Sequence, residues 1–274
     1  MAKRRTFRKK SYRKKKRVVR RRTAKKTTRV VKRVLSRIAE TKSVQQYNYG
    51  TTLVPTSSAA FDTTNVIRLG PWNTTMPINQ GTGAGNRVGN KITTKNLTIR
   101  GAVIPLPYNV TTNPTPRPML VTLYFFYDKQ NPNSVPTPQS NADFFQNGNG
   151  AATFDSDLID NMAPVNSDRY RVFTKRTLKV GWANYESMTG TSTPFWPSAG
   201  GMSNNDFKML GRFKVNLRKY FPKIVKYNDT FTGSPTIRSV YMMTLVNWAD
   251  GNPMASTAQA CGLQFIHEYK YQDL

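Results

Sequence analysis

Histidine and cysteine are almost missing from this chain, which holds one of each, His267 and Cys261. With a single histidine, a His-Cys zinc site, a two-histidine facial triad and the zinc hydrolase motif are unavailable within one subunit, and a serine nucleophile would depend on that same residue. His267 stands in the alternating run Leu263, Phe265, His267, Tyr269, Tyr271, so it is expected in a packed core or interface rather than as a base. Cys261 has no partner for an internal disulfide, which fits a reducing compartment. Long apolar runs are missing as well: nothing approaches the roughly 18 residues needed to span a bilayer, and the N-terminus has no apolar signal core. The protein is therefore expected to be made in the cytosol, to stay soluble and not to insert into a membrane. The sequons at Asn73, Asn96, Asn109 and Asn228 are then accidental.

Negative charge is the other scarcity. The first acidic residue is Glu40, whereas 20 of the 42 Lys and Arg residues precede it. They come in clumps: Lys3, Arg4 and Arg5; Arg8, Lys9 and Lys10; Arg13, Lys14, Lys15, Lys16 and Arg17; Arg20, Arg21 and Arg22; Lys25 and Lys26; then Arg29, Lys32, Arg33 and Arg37. So much charge of one sign, with so little apolar content, cannot bury a core, and residues 1–42 are expected to be a disordered arm until a polyanion neutralises them. Phe7 and Tyr12 are the aromatics available in the arm to stack on bases. Val30, Val31, Val34, Leu35 and Ile38 recur at helical spacing between cations, which allows a short basic amphipathic helix against a partner.

A net charge of +28 makes a polyanionic partner the default, and nucleic acid is the commonest one. The remainder, residues 43–274, reads as one folded all-β domain. Eight runs bounded by Gly, Pro, Asn or Asp clusters carry strand patterning, at 44–54, 92–104, 119–128, 170–182, 207–218, 223–231, 237–248 and 263–271. Met119 to Tyr127 is apolar almost throughout, the signature of a central strand covered on both faces. Short helices are expected at 141–146 and 157–162. The loop holding Phe195 and Trp196 is expected to make a subunit contact.

Two strands add cations. Arg171, Lys175 and Lys179 are expected on one side of the fourth run, and Lys208, Arg212, Lys214 and Arg218 on one side of the fifth, opposite Phe207, Met209, Phe213, Val215 and Leu217. Either these line a solvated sheet face or they form a basic floor that extends the arm.

The glycine-rich stretch Gly81 to Lys91 fails as a phosphate loop, because Asn90 replaces the second Walker glycine, Ile92 follows Lys91, and a strand comes next instead of a helix. Asp155, Asp157 and Asp160 are a candidate for a cation between subunits, or else cap their own helix. No cofactor and no catalytic activity are expected.

Several motifs together carry a family resemblance. The basic arm, Gln80-Gly-Thr-Gly-Ala-Gly-Asn-Arg-Val-Gly-Asn-Lys-Ile leading into Leu97-Thr-Ile-Arg-Gly, then Asp168-Arg-Tyr-Arg-Val-Phe and Gly211-Arg-Phe-Lys-Val-Asn-Leu, resemble the capsid proteins of small circular single-stranded DNA viruses that encode a replication initiator, the circovirus-like and geminivirus-like group. The resemblance implies an eight-stranded antiparallel jelly roll of two four-stranded sheets, closing as about 60 copies into a small icosahedral (T=1) shell with the arm inside. About 60 arms would bring roughly 1,200 positive charges, enough for a single strand of one to two thousand nucleotides of either kind; the resemblance favours DNA over RNA. It further implies residence in the virion, assembly in the host nucleus with the basic clumps as import signals read by host machinery, and a host-cell receptor. A ribosomal-type or chromatin-type nucleic-acid-binding module, or the capsid protein of a small RNA virus, is the alternative.

Overall fold

The computed structural model describes residues 26–28, 30–31, 40–53, 66–72, 77–106, 109–129, 141–145, 158, 161–181, 210–227, 235, 239–255 and 258–273. Most of the arm, the aspartates at 155, 157 and 160, Lys208 and the Phe195–Trp196 loop lie outside these residues. Within the arm, residues 26–28, 30 and 31 are helical, with Val30 and Val31 exposed; Val34, Leu35 and Ile38 of the expected amphipathic helix lie outside the described residues.

Among the described residues there are nine strands: β1 Thr41–Leu53, β2 Val66–Arg68, β3 Lys91–Pro105, β4 Met119–Asp128, β5 Tyr170–Val180, β6 Gly211–Asn216, β7 Ile224–Lys226, β8 Val240–Trp248 and β9 Cys261–Asp273. They form two antiparallel sheets. One has the order β1-β9-β3-β6 with β7 also on β3, and the other the order β2-β8-β4-β5. The chain shuttles between them, β1 in the first, β2 in the second, β3 back in the first, which is a jelly-roll-like all-β arrangement.

Each of the eight runs read from the sequence contains a strand. Two details differ from the expected pair of four-stranded sheets. The short β2, three residues long, escaped because a strand of that length shows too little alternation to be recognised. The first sheet has five strands because β6 and β7 share one edge of β3, pairing with Thr98–Val103 and Lys91–Thr93 respectively. The ordered β-structure also starts at Thr41 rather than Ser43, with Thr41 paired to Gln272.

Strand parity explains the core. Leu97, Ile99 and Val103 of β3, Leu263, Phe265, Tyr269 and Tyr271 of β9, and Phe213 and Val215 of β6 point inward to meet Val121, Leu123 and Phe125 of β4 and Met242 and Val246 of β8. Gly101 shares that inward face. A Cβ there would lie 2.5 Å from the Gln264 carbonyl oxygen and 2.7 Å from the Phe213 ring, so only glycine lets these strands and that ring approach.

β4 is covered on both faces, as expected. On its outer side Tyr124 and Phe126 join Val66, Tyr241, Met243 and Leu245 in a second core closed by Phe144, Phe145 and Tyr170. Phe144 belongs to the first expected helix, found at Asn141–Phe144. That helix is pinned by Asp143, which pairs with Arg169 and accepts a 2.7 Å hydrogen bond from the Tyr170 hydroxyl. Arg169 also reaches the fully buried Asp128, at 3.2 Å. Of the second expected helix, the described residues 158, 161 and 162 are turns.

Candidate nucleic-acid interface

The outer face of the first sheet is the one large sheet surface that the described chain leaves uncovered. Its composition follows from register. Along one row, Tyr47, Ile266, Arg100 and Lys214 lie side by side across β1, β9, β3 and β6; along the next, Gln45, Glu268, Thr98 and Asn216 do. Lys91 sits opposite Lys226 on the same face, and Arg212 opposite Ala102. The outward strand positions thus present Lys91, Arg100, Arg212, Lys214, Lys226 and Lys270 against one carboxylate, Glu268.

Glu268 is shared by its neighbours. Lys270 approaches it at 2.9 Å and Arg100 at 3.4 Å, and the Lys270 contact foremost holds its carboxyl below the ordinary glutamate range. These surface pairs are worth at most about 1 kcal/mol each. They leave the face with a net positive field.

The alternation read for the fifth run is observed: Gly211, Phe213, Val215 and Leu217 are buried, and Arg212, Lys214 and Arg218 are exposed. The β5 expectation requires correction. A bulge at Phe173 shifts the register between Phe125 and Phe126 of β4, so Arg171 lies opposite Tyr127 whereas Lys175 and Lys179 lie opposite Tyr124 and Leu120. The extra residue reverses the faces, putting Arg171 on the core-side parity and the two lysines on the other side. Lys175 is occupied there, donating to the Asn161 carbonyl at 2.8 Å with its ammonium 5.0 Å from the Tyr124 ring centre. Burial lowers its pKa. The three cations of β5 therefore form no common floor.

Arg100, Lys91, Lys226 and Lys270 belong to the basic face and were not singled out as binding residues. The alternation of Leu97, Ile99 and Gly101 already turned Arg100 outward; only the pairing of β3 with β6, β7 and β9 brings the four together.

The glycine-rich stretch is a structural clasp. Arg87, fully buried, donates to the Gly89 carbonyl at 2.9 Å and to Asn90 Oδ1 at 3.0 Å, and its guanidinium lies 4.2 Å from the centre of the Tyr227 ring. Arg87 N donates to the Asn79 carbonyl and Gly81 N to the Arg87 carbonyl. The loop is tied to both chain ends of the sheet: Lys42 donates to the Asn86 carbonyl at 2.7 Å and pairs with Asp273 at 2.8 Å, while the Tyr271 hydroxyl donates to the Gly85 carbonyl. The Gly81, Asn86 and Arg87 amides are spent on neighbouring carbonyls and the Arg87 side chain holds Gly89 and Asn90, so these residues serve the fold.

His267 and Cys261 are fully buried on the inward face of β9. Neither ring nitrogen of His267 has a hydrogen-bond partner among the described residues, and burial lowers its pKa to about 4. Burial pushes the Cys261 thiol up to about 12. A neutral imidazole and a protonated thiol in an apolar core are packing groups. Among the described residues, no group of three or more His, Cys, Asp or Glu side chains could hold a metal ion, and no helix is long and apolar enough to cross a membrane. No protein-family model matches the chain, and no curated protein matches it significantly.

Proposed function

We propose that this chain is a viral capsid protein that packages a single-stranded genome through its basic arm and assembles through its β-sandwich and loops. The carrying observation is the division of charge: 20 cations precede the first carboxylate, and they are attached to a jelly-roll-like body. The arm joins the body at β1, an outer strand of the sheet whose exposed face is itself basic. Arm and face therefore leave the same sheet, and one polyanion can engage both. The mechanism is counterion exchange. Each phosphate neutralised releases a condensed ion, so affinity falls with salt by a log-log slope of about 0.7 per contact on a single strand. We assign no catalytic step to the chain.

Electron microscopy of the purified full-length protein tests this reading. Uniform closed shells carrying nuclease-protected nucleic acid are expected, and DNase against RNase digestion of the contents identifies the polymer. Monomers that bind nucleic acid but never close would overturn it. Removing residues 1–37 is expected to leave a folded body and shells depleted of nucleic acid.

A further inference from the structure

Beside the basic face, the edge of β3 carries a feature that pairing does not require. The strand alongside it is broken: β6 ends at Asn216, β7 begins at Ile224, and the chain between them turns away. β3 is itself irregular opposite this break, with a register shift between Thr94 and Asn96 that leaves Lys95 as the extra residue. A bulge of this kind re-aims a side chain. The two irregularities enclose a hollow of about 600 Å³ lined by Thr93, Lys95, Asn216, Arg218, Lys219 and Lys223, with Phe221 among its walls.

The hollow is rigid where it needs to be. Leu217 N donates to the Leu97 carbonyl and Thr94 N to the Lys223 carbonyl, fastening both ends of the turn to β3. The Thr94 hydroxyl donates to the Pro222 carbonyl at 2.8 Å. Beneath, Tyr220 stacks on Phe173 at 4.8 Å and Phe221 packs on Trp72 at 5.1 Å. Gly70, at φ +63°, admits that ring, since a Cβ there would lie 3.3 Å from it.

Among the described residues no carboxylate answers this charge; the Lys219 ammonium lies 4.7 Å from the Tyr220 ring centre. No carboxylate lines the hollow, and Lys95, Arg218, Lys219 and Lys223 form no ion pair with a described residue. Four cations gathered without a counter-charge repel one another, a cost that a bound anion removes. Thr93 and Asn216 add neutral hydrogen-bonding groups, and the Arg218 fork suits a phosphate.

We infer that this hollow is a binding site for the sugar-phosphate backbone of single-stranded nucleic acid, a fixed site on the body distinct from the arm. Resting on the packaging reading above, it names where the packaged strand meets the folded domain. From the hollow the strand continues along Lys91 and Lys226 and the Arg100–Lys214 row, which share the open sheet.

The test uses the full chain and a fluorescent oligothymidylate. Replacing Lys95, Arg218, Lys219 and Lys223 together by Gln is expected to reduce the magnitude of the log-log salt slope by about 3, four contacts at about 0.7 each. A charge-matched set on β5, Arg171, Lys175, Arg176 and Lys179 to Gln, is expected to leave it unchanged. An equal fall in both variants would overturn the site, because charge alone would then explain it. In a second background the 20 cations that precede Glu40 all become Gln. A residual slope that falls by about 3 on adding the hollow substitutions supports the site; a residual slope that they leave unchanged overturns it. Unchanged affinity on neutralising the arm would instead sink the packaging reading while leaving the hollow standing. Lysine acetylation reads the site directly: protection of Lys95, Lys219 and Lys223 by the oligonucleotide is expected, and protection by heparin alone would reassign the hollow to a sulfated polysaccharide and overturn the proposal.

Discussion

The two sheets share one core and differ in their outer faces. Outside β4 and β8 lie Tyr124, Phe126, Tyr241, Met243 and Leu245, roofed by Phe144, Phe145 and Tyr170 and latched by Asp143, Arg169 and Asp128. Outside β3, β6 and β9 lie Arg100, Lys214, Ile266 and Lys270, with no described segment packed over them. Burial on both sides makes the first sheet's partner a structural element throughout; the open sheet is structural inside and free to bind outside. The difference leaves the first sheet with an outer face on which no described segment packs, so that a substitution there need not disturb the shared core.

That separation can be broken by experiment, and the largest effect is expected on the covered side. Phe126→Ala empties a fully buried site between Phe144, Tyr170 and Tyr241 and should destabilise the protein by about 3 to 5 kcal/mol, read from the shift of the denaturant midpoint. An effect below about 1 kcal/mol would mean that the roof is not a true second core.

Acid should act on the open sheet from within. His267 has a folded-state pKa near 4 against an ordinary 6.5, so the unfolded chain takes up its proton first. Stability is therefore complete above pH 6.5 and declines as pH falls toward 4, by about 3 kcal/mol at the lower end. Hydrogen exchange should show β9 and its partners loosening before β4, and His267→Leu should flatten this part of the pH profile. A profile unaltered by the substitution would show that the imidazole does not carry it.

Gly101→Ala probes the same sheet at its tightest contact. Moving the Gln264 backbone or the Phe213 ring aside should cost about 1 to 3 kcal/mol, measured by thermal unfolding. A variant as stable as the parent would show that the strands can part at no cost. The smallest effect is expected on the open surface, where Ile266→Lys should change stability by no more than about 0.5 kcal/mol while strengthening oligonucleotide binding at low salt. Substantial destabilisation there would mean that the open face is covered in the native protein.

Much of this was legible in the residues. Alternation in β3, β6 and β9 and the apolar run of β4 disclosed strand positions because period-two patterning is written locally. The basic face was legible in part: Arg212, Lys214 and Arg218 followed from that alternation. Arg171 was misplaced because one extra residue at Phe173 inverts the faces of a strand, and a bulge leaves no mark in residue type. The hollow at Lys95 was unreadable for the same reason, since it needs a bulge in one strand opposite a break in another.

Sequence alone determined the charge division, a polycationic arm joined to a β-rich body, since net charge and apolar patterning are properties of the chain itself. Only the tertiary structure decided which cations act together. Lys91 meets Lys226, Arg100 meets Lys214, and Lys95 meets Arg218, Lys219 and Lys223 through antiparallel pairing between segments more than a hundred residues apart, a distance over which local pattern carries no register.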